Sequence, residues 1–523
     1  MFIKILVLIL FFGVMIGVGL YCRGASRDVE GFVLGGNKAG AWLTAFAYGT
    51  SYFSAVIFIG YAGQFGWKYG ISATWIGLGN AFIGSLMAWW VLGRRTRLMT
   101  RHLESSTMPE YFGKRFQSNA LRVASSAIVF IFLIPYTASL YNGLSQLFEM
   151  AFRIDYAWCV LAMAILTALY VIFGGYMATA INDFLQGLVM LFGIVAVIIA
   201  VVNSNGGLAV ALSELSKIPS ETTPALSGAF TSFFGPQPLQ LFGVVILTSL
   251  GTWGLPQMVG KFYAIKNEQS IHKGTVISTV FALIVAGGCY FLGGFGRLYG
   301  GVIRYTDAGT PVYDSIIPGM ISNLPDILIG VVVILVLSAS MSTLSSLVLT
   351  SGSTMTLDIL LPLIRKKDMT AEKKLVIIRL LVAFFIAVSS VIAIIQAKSS
   401  VTFIAQLMGI SWGALAGAFL APFLYSLYWK KTTKAACWVS FGTGVLLMCA
   451  DMFCNFTGRV FLSPYFSSPI NAGMLAMVAG LVLVPVVSLL TPKMKKETVN
   501  EMFVCYDRTV TVHSSTALAD EIN

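Results

Sequence analysis

Apolar stretches of roughly 20 residues follow one another along almost the whole chain, near 2–22, 40–65, 73–93, 120–148, 156–175, 181–203, 237–257, 274–296, 325–351, 375–397, 401–428, 435–455 and 470–491. Each is long enough to cross about 30 Å of hydrocarbon as a helix. Only 11% of the 523 residues are charged and 57% are hydrophobic, against about 25% charged residues in an ordinary globular domain. The fold class expected is therefore all-α: a polytopic membrane protein of about thirteen transmembrane helices with the lipid bilayer as its solvent. The first window lacks a small-residue cleavage site, and Tyr21 before Cys22 spoils lipoprotein-type processing, so it reads as a retained helix.

A formal charge of +12 would point toward nucleic acid in a soluble chain, so the placement of the basic residues decides its meaning. They cluster in alternate connections: Arg94, Arg95, Arg97, Arg101, Lys114, Arg115 and Arg122; Lys261, Lys266 and Lys273; Arg365, Lys366 and Lys367; Lys430, Lys431 and Lys434; and Lys493, Lys495, Lys496 and Arg508. The positive-inside rule then predicts an external N-terminus, a cytoplasmic C-terminus in the plasma membrane and an odd number of crossings. The excess is topological, and no nucleic-acid partner is expected. The seven cysteines, Cys22, Cys159, Cys289, Cys437, Cys449, Cys454 and Cys505, show no metal spacing and read as small buried hydrophobes.

No segment reads as a separate soluble domain, and the tail 492–523 is too short for a folded output module. Two windows are interrupted. AYGTSYFSAVIFIGYAG (47–63) carries glycines and hydroxyls at its middle, and TSLGTWGLPQM (248–258) carries Gly251, Gly254 and Pro256. They are the second and seventh windows, and an odd offset of five reverses orientation in the membrane. The expected organisation is an extra N-terminal helix (1–35), a first five-helix repeat (36–203), an inverted second repeat (204–432, with an outer loop at 204–236), two C-terminal helices (433–491) and the short tail. Paired interrupted helices in matching positions point to a midplane binding site, because unwound backbone exposes carbonyls.

The stretch ASMSTLSS (339–346) puts Ala339, Ser342, Thr343, Ser345 and Ser346 on one face at about 100° per residue. Hydroxyls and freed carbonyls suit a hard cation such as sodium, although serine and threonine also bond back to their own helix or glue helices together. Asp183, in ATAINDFLQG, is an ionisable group at the start of an apolar helix. Such groups mark ion paths, the alternative here being a helix cap at the cytoplasmic rim.

Four motifs, ALYVIFGGYMATAINDFLQGLVML, AYGTSYFSAVIFIGYAG, GLPQMVGKFYAIKNEQSIHKG and SASMSTLSS, resemble in order and placement the sodium:solute symporter family, especially its bacterial pantothenate and proline members. The similarity spans residues 1 to about 435. It implies a LeuT-type 5+5 inverted repeat, alternating access and uptake driven by a co-transported sodium ion. The family's first sodium site falls on the carbonyls of Thr50, Phe53 and Ala339 and the hydroxyls of Ser342 and Thr343. A second site, present in some members, falls on Asp183, Ser345 and Ser346, with Ser342 nearby.

Sugar carriers of the family present carboxamide and carboxylate groups where this chain has Val56 and Ile57, which disfavours a polyol. Proline-type members carry an Asp and aromatics where this chain has Tyr52, Thr248 and Thr252, a departure from that pattern. Tyr136 matches it, and SYFSAV is similar to the carboxylate and vitamin carriers. The expected partner is a small-molecule solute, an amino acid, monocarboxylate or pantothenate-like anion, held by Ser54, Phe58, Tyr136, Thr252, Trp253 and Trp412, with no obligatory protein partner. GISWG (409–413) fits a nucleophile pattern, but His102, His272 and His513 all fall in predicted cytoplasmic segments, so no enzyme is expected. A channel would show a filter or a ring of charges, and neither is evident. A membrane solute receptor is the remaining rival.

Overall fold

The computed structural model describes residues 2–152, 154–307, 309–364, 370–397 and 404–507. Arg365, Lys366, Lys367, Arg508, His513, the first residues of the 401–428 window and the tail beyond 507 lie outside the described residues. Thirteen helical elements carry the architecture: α1 Phe2–Cys22, α2 Ala41–Tyr52, α3 Val56–His102, α4 Asn119–Phe152, α5 Tyr156–Ser204, α6 Pro238–Gly254, α7 Pro256–Ala264, α8 Glu268–Gly293, α9 Asp326–Ile364, α10 Ala371–Ala397, α11 Ile404–Tyr428, α12 Lys434–Phe456 and α13 Pro469–Leu490. Among the described residues there is no strand.

Among the described residues the interior of every apolar window is helical apart from the breaks at Phe53 and Ser54 and at Leu255, but windows and elements do not match one to one. Nine described helices are long and apolar enough to cross a membrane, or ten when α6 and α7, bent by 46° at Leu255, count as one span. The 49 residues of α5 would reach about 73 Å if straight, more than twice the hydrocarbon thickness. The helix therefore turns at Gly175, where φ is +57° and ψ is −151°. Glycine is needed there, since a Cβ would also lie 2.9 Å from the Phe32 carbonyl. The two windows predicted as 156–175 and 181–203 are thus two helices that meet at Gly175, the second beginning directly after it and a turn earlier than its window.

The inner layer is formed by α9, packed against α4, α5 and α10, and by α11, enclosed by α4, α12 and α13. Small residues set its tightest approaches. A Cβ on Gly66 of α3 would stand 2.0 Å from the Gly293 carbonyl oxygen at the end of α8, and one on Gly293 would stand 2.0 Å from the Ala62 carbonyl oxygen. The backbones touch with no side chain between them, so Gly66→Ala must force two helices apart. It is expected to cost about 3 kcal/mol, read as a lower melting temperature of the purified chain, whereas Gly13→Ala, which meets nothing within 4 Å, serves as the neutral control.

Several basic residues assigned to loops are structural instead. Arg115 is fully buried, with Nε donating to the Ser426 carbonyl at 3.2 Å, and Arg97 donates to the carbonyls of Ile265 and Lys266. Lys261 is buried inside α7. Five cysteines are buried as expected, but Cys449 is exposed and Cys454 half-buried on the flank of α12. Beyond the helices, Arg297 makes a two-pronged ion pair with Glu221 of the 204–236 loop at 2.8 and 2.9 Å, which holds that carboxyl below its ordinary range.

Candidate cation and solute site

The helix α2 stops at Tyr52 because Phe53 leaves the helical region (φ −100°, ψ 90°), and the chain resumes helix only after Ser54. At such an end the backbone ladder runs out and carbonyls lose their intrahelical partners. The hydroxyl stripe of α9 meets this break directly. Ser342 Oγ donates to the Thr50 carbonyl at 3.1 Å and Thr343 Oγ1 does so at 3.2 Å; both also reach the Ala339 carbonyl, at 3.2 and 3.1 Å. Of the five atoms expected at the first sodium position, the two hydroxyls therefore each lie within hydrogen-bond distance of both the Thr50 and the Ala339 carbonyl, on two helices almost 300 residues apart in sequence. Phe53 is buried beside them with its ring stacked on Tyr52, but the bonds tying stripe to break end at Thr50 and Ser51, not at Phe53.

The second set is only partly assembled. Ser345 Oγ bonds back to the Ser342 carbonyl at 2.9 Å, while Ser346 Oγ faces Ser51 Oγ of α2 at 2.7 Å. Asp183 is fully buried two turns beyond the Gly175 bend, inside α5, so it neither starts a helix nor caps one. Its neighbour is a residue that sequence reasoning left among the loop charges: Lys261 Nζ lies 3.6 Å from Asp183 Oδ2 and donates to Ser346 Oγ at 2.9 Å. Both side chains are essentially excluded from solvent, at 5% and 0% exposure. The signal for Lys261 is its setting in MVGKFYAI, a lone charge within an apolar run.

A narrow throat of about 50 Å³ reaches Lys261, Ser346 and Gln257. It shares Leu34, Ser106 and Tyr263 with a wider vestibule of about 740 Å³ that also touches Arg101 and Lys266. The two cavities thus adjoin on the side where Arg101 and Lys266 lie, and the inner one ends at Lys261 and Ser346.

Of the expected solute contacts, three converge. The Tyr136 hydroxyl lies beside Ser54 and Trp412, the Tyr136 and Trp412 rings meet edge to face at 6.0 Å, and Tyr52 stands 5.9 Å from Trp412. Ser54 Oγ, Tyr136 Oη and Trp412 Nε1 are buried and have no well-aligned hydrogen bond to any group beyond one another among the described residues, and a buried polar cluster of this kind is what a polar ligand satisfies. Phe58 is buried one turn beyond Ser54, its amide bonded to the Ser54 carbonyl. Thr252 and Trp253 are committed elsewhere: Thr252 Oγ1 donates to the Gly84 carbonyl at 3.3 Å and Trp253 Nε1 to the Ile83 carbonyl at 3.0 Å, both on α3. Tyr52 and Thr248, two positions that depart from the proline-type pattern, bond each other through the Tyr52 hydroxyl and the Thr248 carbonyl.

Two helices broken at their middles, the first with its carbonyls against the hydroxyls of α9, and buried polar groups around Tyr136 are the marks of a membrane carrier built on interrupted helices. The chain belongs to the sodium:solute symporter family, whose model matches residues 32–444, and sodium-coupled symport of a small solute is the activity of that class. It is 28% identical over 490 residues to the osmoregulated proline transporter OpuE of Bacillus subtilis, covering 91% of this chain and 93% of that one. It is 29% identical over 454 residues to sodium/proline symporter 2 of Staphylococcus saprophyticus, covering 85% and 84%. Its fold is shared with a Na+-coupled sialic acid symporter solved in a substrate-bound outward-open state with a novel Na+-site, at a TM-score of 0.74 and 17% identity over 95% of this chain and 99% of that one.

Proposed function

We propose that the chain imports a small organic anion or amino acid with an apolar body by alternating access, driven by sodium bound at Thr50, Phe53, Ala339, Ser342 and Thr343. The observation that carries this reading is the meeting of the Ser342 and Thr343 hydroxyls with the Thr50 carbonyl at the break in the first interrupted helix. A hard cation replaces its water with oxygens of this kind, and neutral ligands allow it to leave again. Asp183, Ser345 and Ser346 form a second cation position. The solute lies against Ser54, Phe58, Tyr136 and Trp412, with Thr252 and Trp253 forming the wall behind them. The division into an N-terminal helix (1–35), two inverted five-helix repeats (36–203 and 204–432), two C-terminal helices (433–491) and a tail belongs to the same proposal. So do thirteen crossings of the plasma membrane, an external N-terminus and a cytoplasmic C-terminus. The bend of α5 at Gly175 and the 46° angle between α6 and α7 support the arrangement.

Proline is the second reading, favoured by the names of the two relatives. Against it stands the Tyr52–Thr248 bond, which occupies the place where proline-type members carry other groups. Thermal-shift measurements on the purified chain against amino acids, monocarboxylates and pantothenate, in sodium and then in potassium, separate these readings. A ligand that raises the melting temperature only in sodium is expected; equal shifts in both salts would remove the coupling. In proteoliposomes the solute should concentrate and then leak away when a sodium ionophore is added, whereas a channel only equilibrates it and a receptor does not move it.

A further inference from the structure

We propose that the ammonium of Lys261 is the resident occupant of the second cation position, so that each solute is coupled to one sodium ion rather than two. This rests on the sodium-symport reading above and concerns only how many ions that mechanism carries.

The geometry is that of a tethered cation in a cation's place. The Nζ of Lys261 donates to Ser346 Oγ at 2.9 Å and stands 3.6 Å from Asp183 Oδ2. It also lies 5.5 Å from the centroid of the Tyr176 ring, whose π face favours a positive charge. Ser346 in turn faces Ser51 across 2.7 Å. The ammonium on α7, just past the break in the second interrupted helix, is thereby connected to α5, to α9 and to the first interrupted helix. A lysine ammonium is a compact point charge with three donors, and the groups around it, a carboxylate and a hydroxyl, are those a small cation would use.

Charge balance argues against adding a second ion. Asp183 supplies one negative charge, and Lys261 already neutralises it in a site from which solvent is almost excluded. Sodium bound to the same carboxylate would leave an uncompensated positive charge in a poorly polarisable interior, next to a like charge it could not avoid. Removing the lysine reverses the situation, since Asp183 is then a buried carboxylate without the counter-ion it has at 3.6 Å, beside a cavity that Lys261 and Ser346 line. The first position has no such competitor, because its oxygens are neutral and belong to the backbone and hydroxyls of α2 and α9.

The test counts radioactive sodium bound at saturation to the purified full-length chain in detergent, so it needs no knowledge of the solute. Wild type is expected to bind one sodium per chain, Lys261→Gln two, and Lys261→Gln combined with Asp183→Asn one again. The sodium binding isotherm should change from non-cooperative or single-site in wild type to two-site in Lys261→Gln. Two sodium ions bound by wild type would overturn the proposal and leave sodium symport standing, whereas none bound would overturn both. A folded Lys261→Gln chain that still binds one sodium would also overturn it. If that variant does not fold, the wild-type count decides alone, and Lys261→Arg, which keeps the charge, is expected to remain at one.

Discussion

Half-maximal uptake by a Thr343→Ala chain is expected to need about 10- to 100-fold more sodium than wild type, with the maximal rate largely kept when sodium is saturating. Thr343 Oγ1 reaches the carbonyls of Thr50, Ala339 and, at 3.5 Å, Ser51, so it sits among the oxygens that would replace water around the ion. Deleting it removes one ligand to a charge, worth about 1.5–3 kcal/mol, and the buried α9 interior offers no water to fill the gap. Thr343→Ser, which keeps the hydroxyl and loses only a methyl group, should stay near wild type. Sodium-dependent uptake of radiolabelled solute in proteoliposomes checks both variants. An unchanged sodium requirement in a folded Thr343→Ala chain would take this position out of the ion's path.

Arg122→Met is expected to destabilise the chain by about 3 kcal/mol, near the low end for a broken buried ion pair because part of the guanidinium is wet. Asp358 is fully buried in the π-helical turn at the end of α9; it accepts Arg122 Nε at 2.6 Å and the Thr107 hydroxyl at 2.6 Å. Arg122 also donates to the Leu357 carbonyl and lies 3.5 Å from Glu110, so one guanidinium holds two carboxylates apart and joins α4, α9 and the short helix Met108–Arg115. Losing it leaves a buried negative charge facing another. Arg122→Met paired with Asp358→Asn, which removes both charges, should recover most of the melting temperature. Equal losses in the single and double variants would show that packing, not charge, is responsible.

The architecture was legible because lipid leaves a sequence few choices: apolar length announces helix, and Gly251, Gly254 and Pro256 announce the bend that α6 and α7 display. The first break was visible for a related reason, since AYGTSYFSAV places glycine and hydroxyls where an unbroken helix would want leucine. The stripe on α9 could be projected onto one face by simple periodicity, and Ser342 and Thr343 do face Thr50. Periodicity says nothing, however, about which distant helix supplies a partner. Lys261 was missed because a basic residue a few positions past an apolar window looks like a loop charge until α7 is seen to continue to Ala264. Asp183 was misplaced for the mirror reason: the polar stretch ATAIND reads as a gap, yet α5 runs through it once Gly175 absorbs the turn. Thr252 and Trp253 sit on the right broken helix, but the direction in which each side chain leaves a short 3-10 turn is decided by the Gly84 and Ile83 carbonyls of a neighbouring element.

The buried pair of Asp183 and Lys261 also bears on how steep a concentration ratio the cell can maintain. With a single travelling ion, a membrane voltage of about 100 mV contributes about 2.3 kcal/mol and a tenfold ion gradient about 1.4, which caps accumulation of a neutral nutrient at roughly 500-fold. A cell relying on such a carrier gives up the far higher ceiling that a second ion provides and spends half as much of its ion gradient on each molecule taken in.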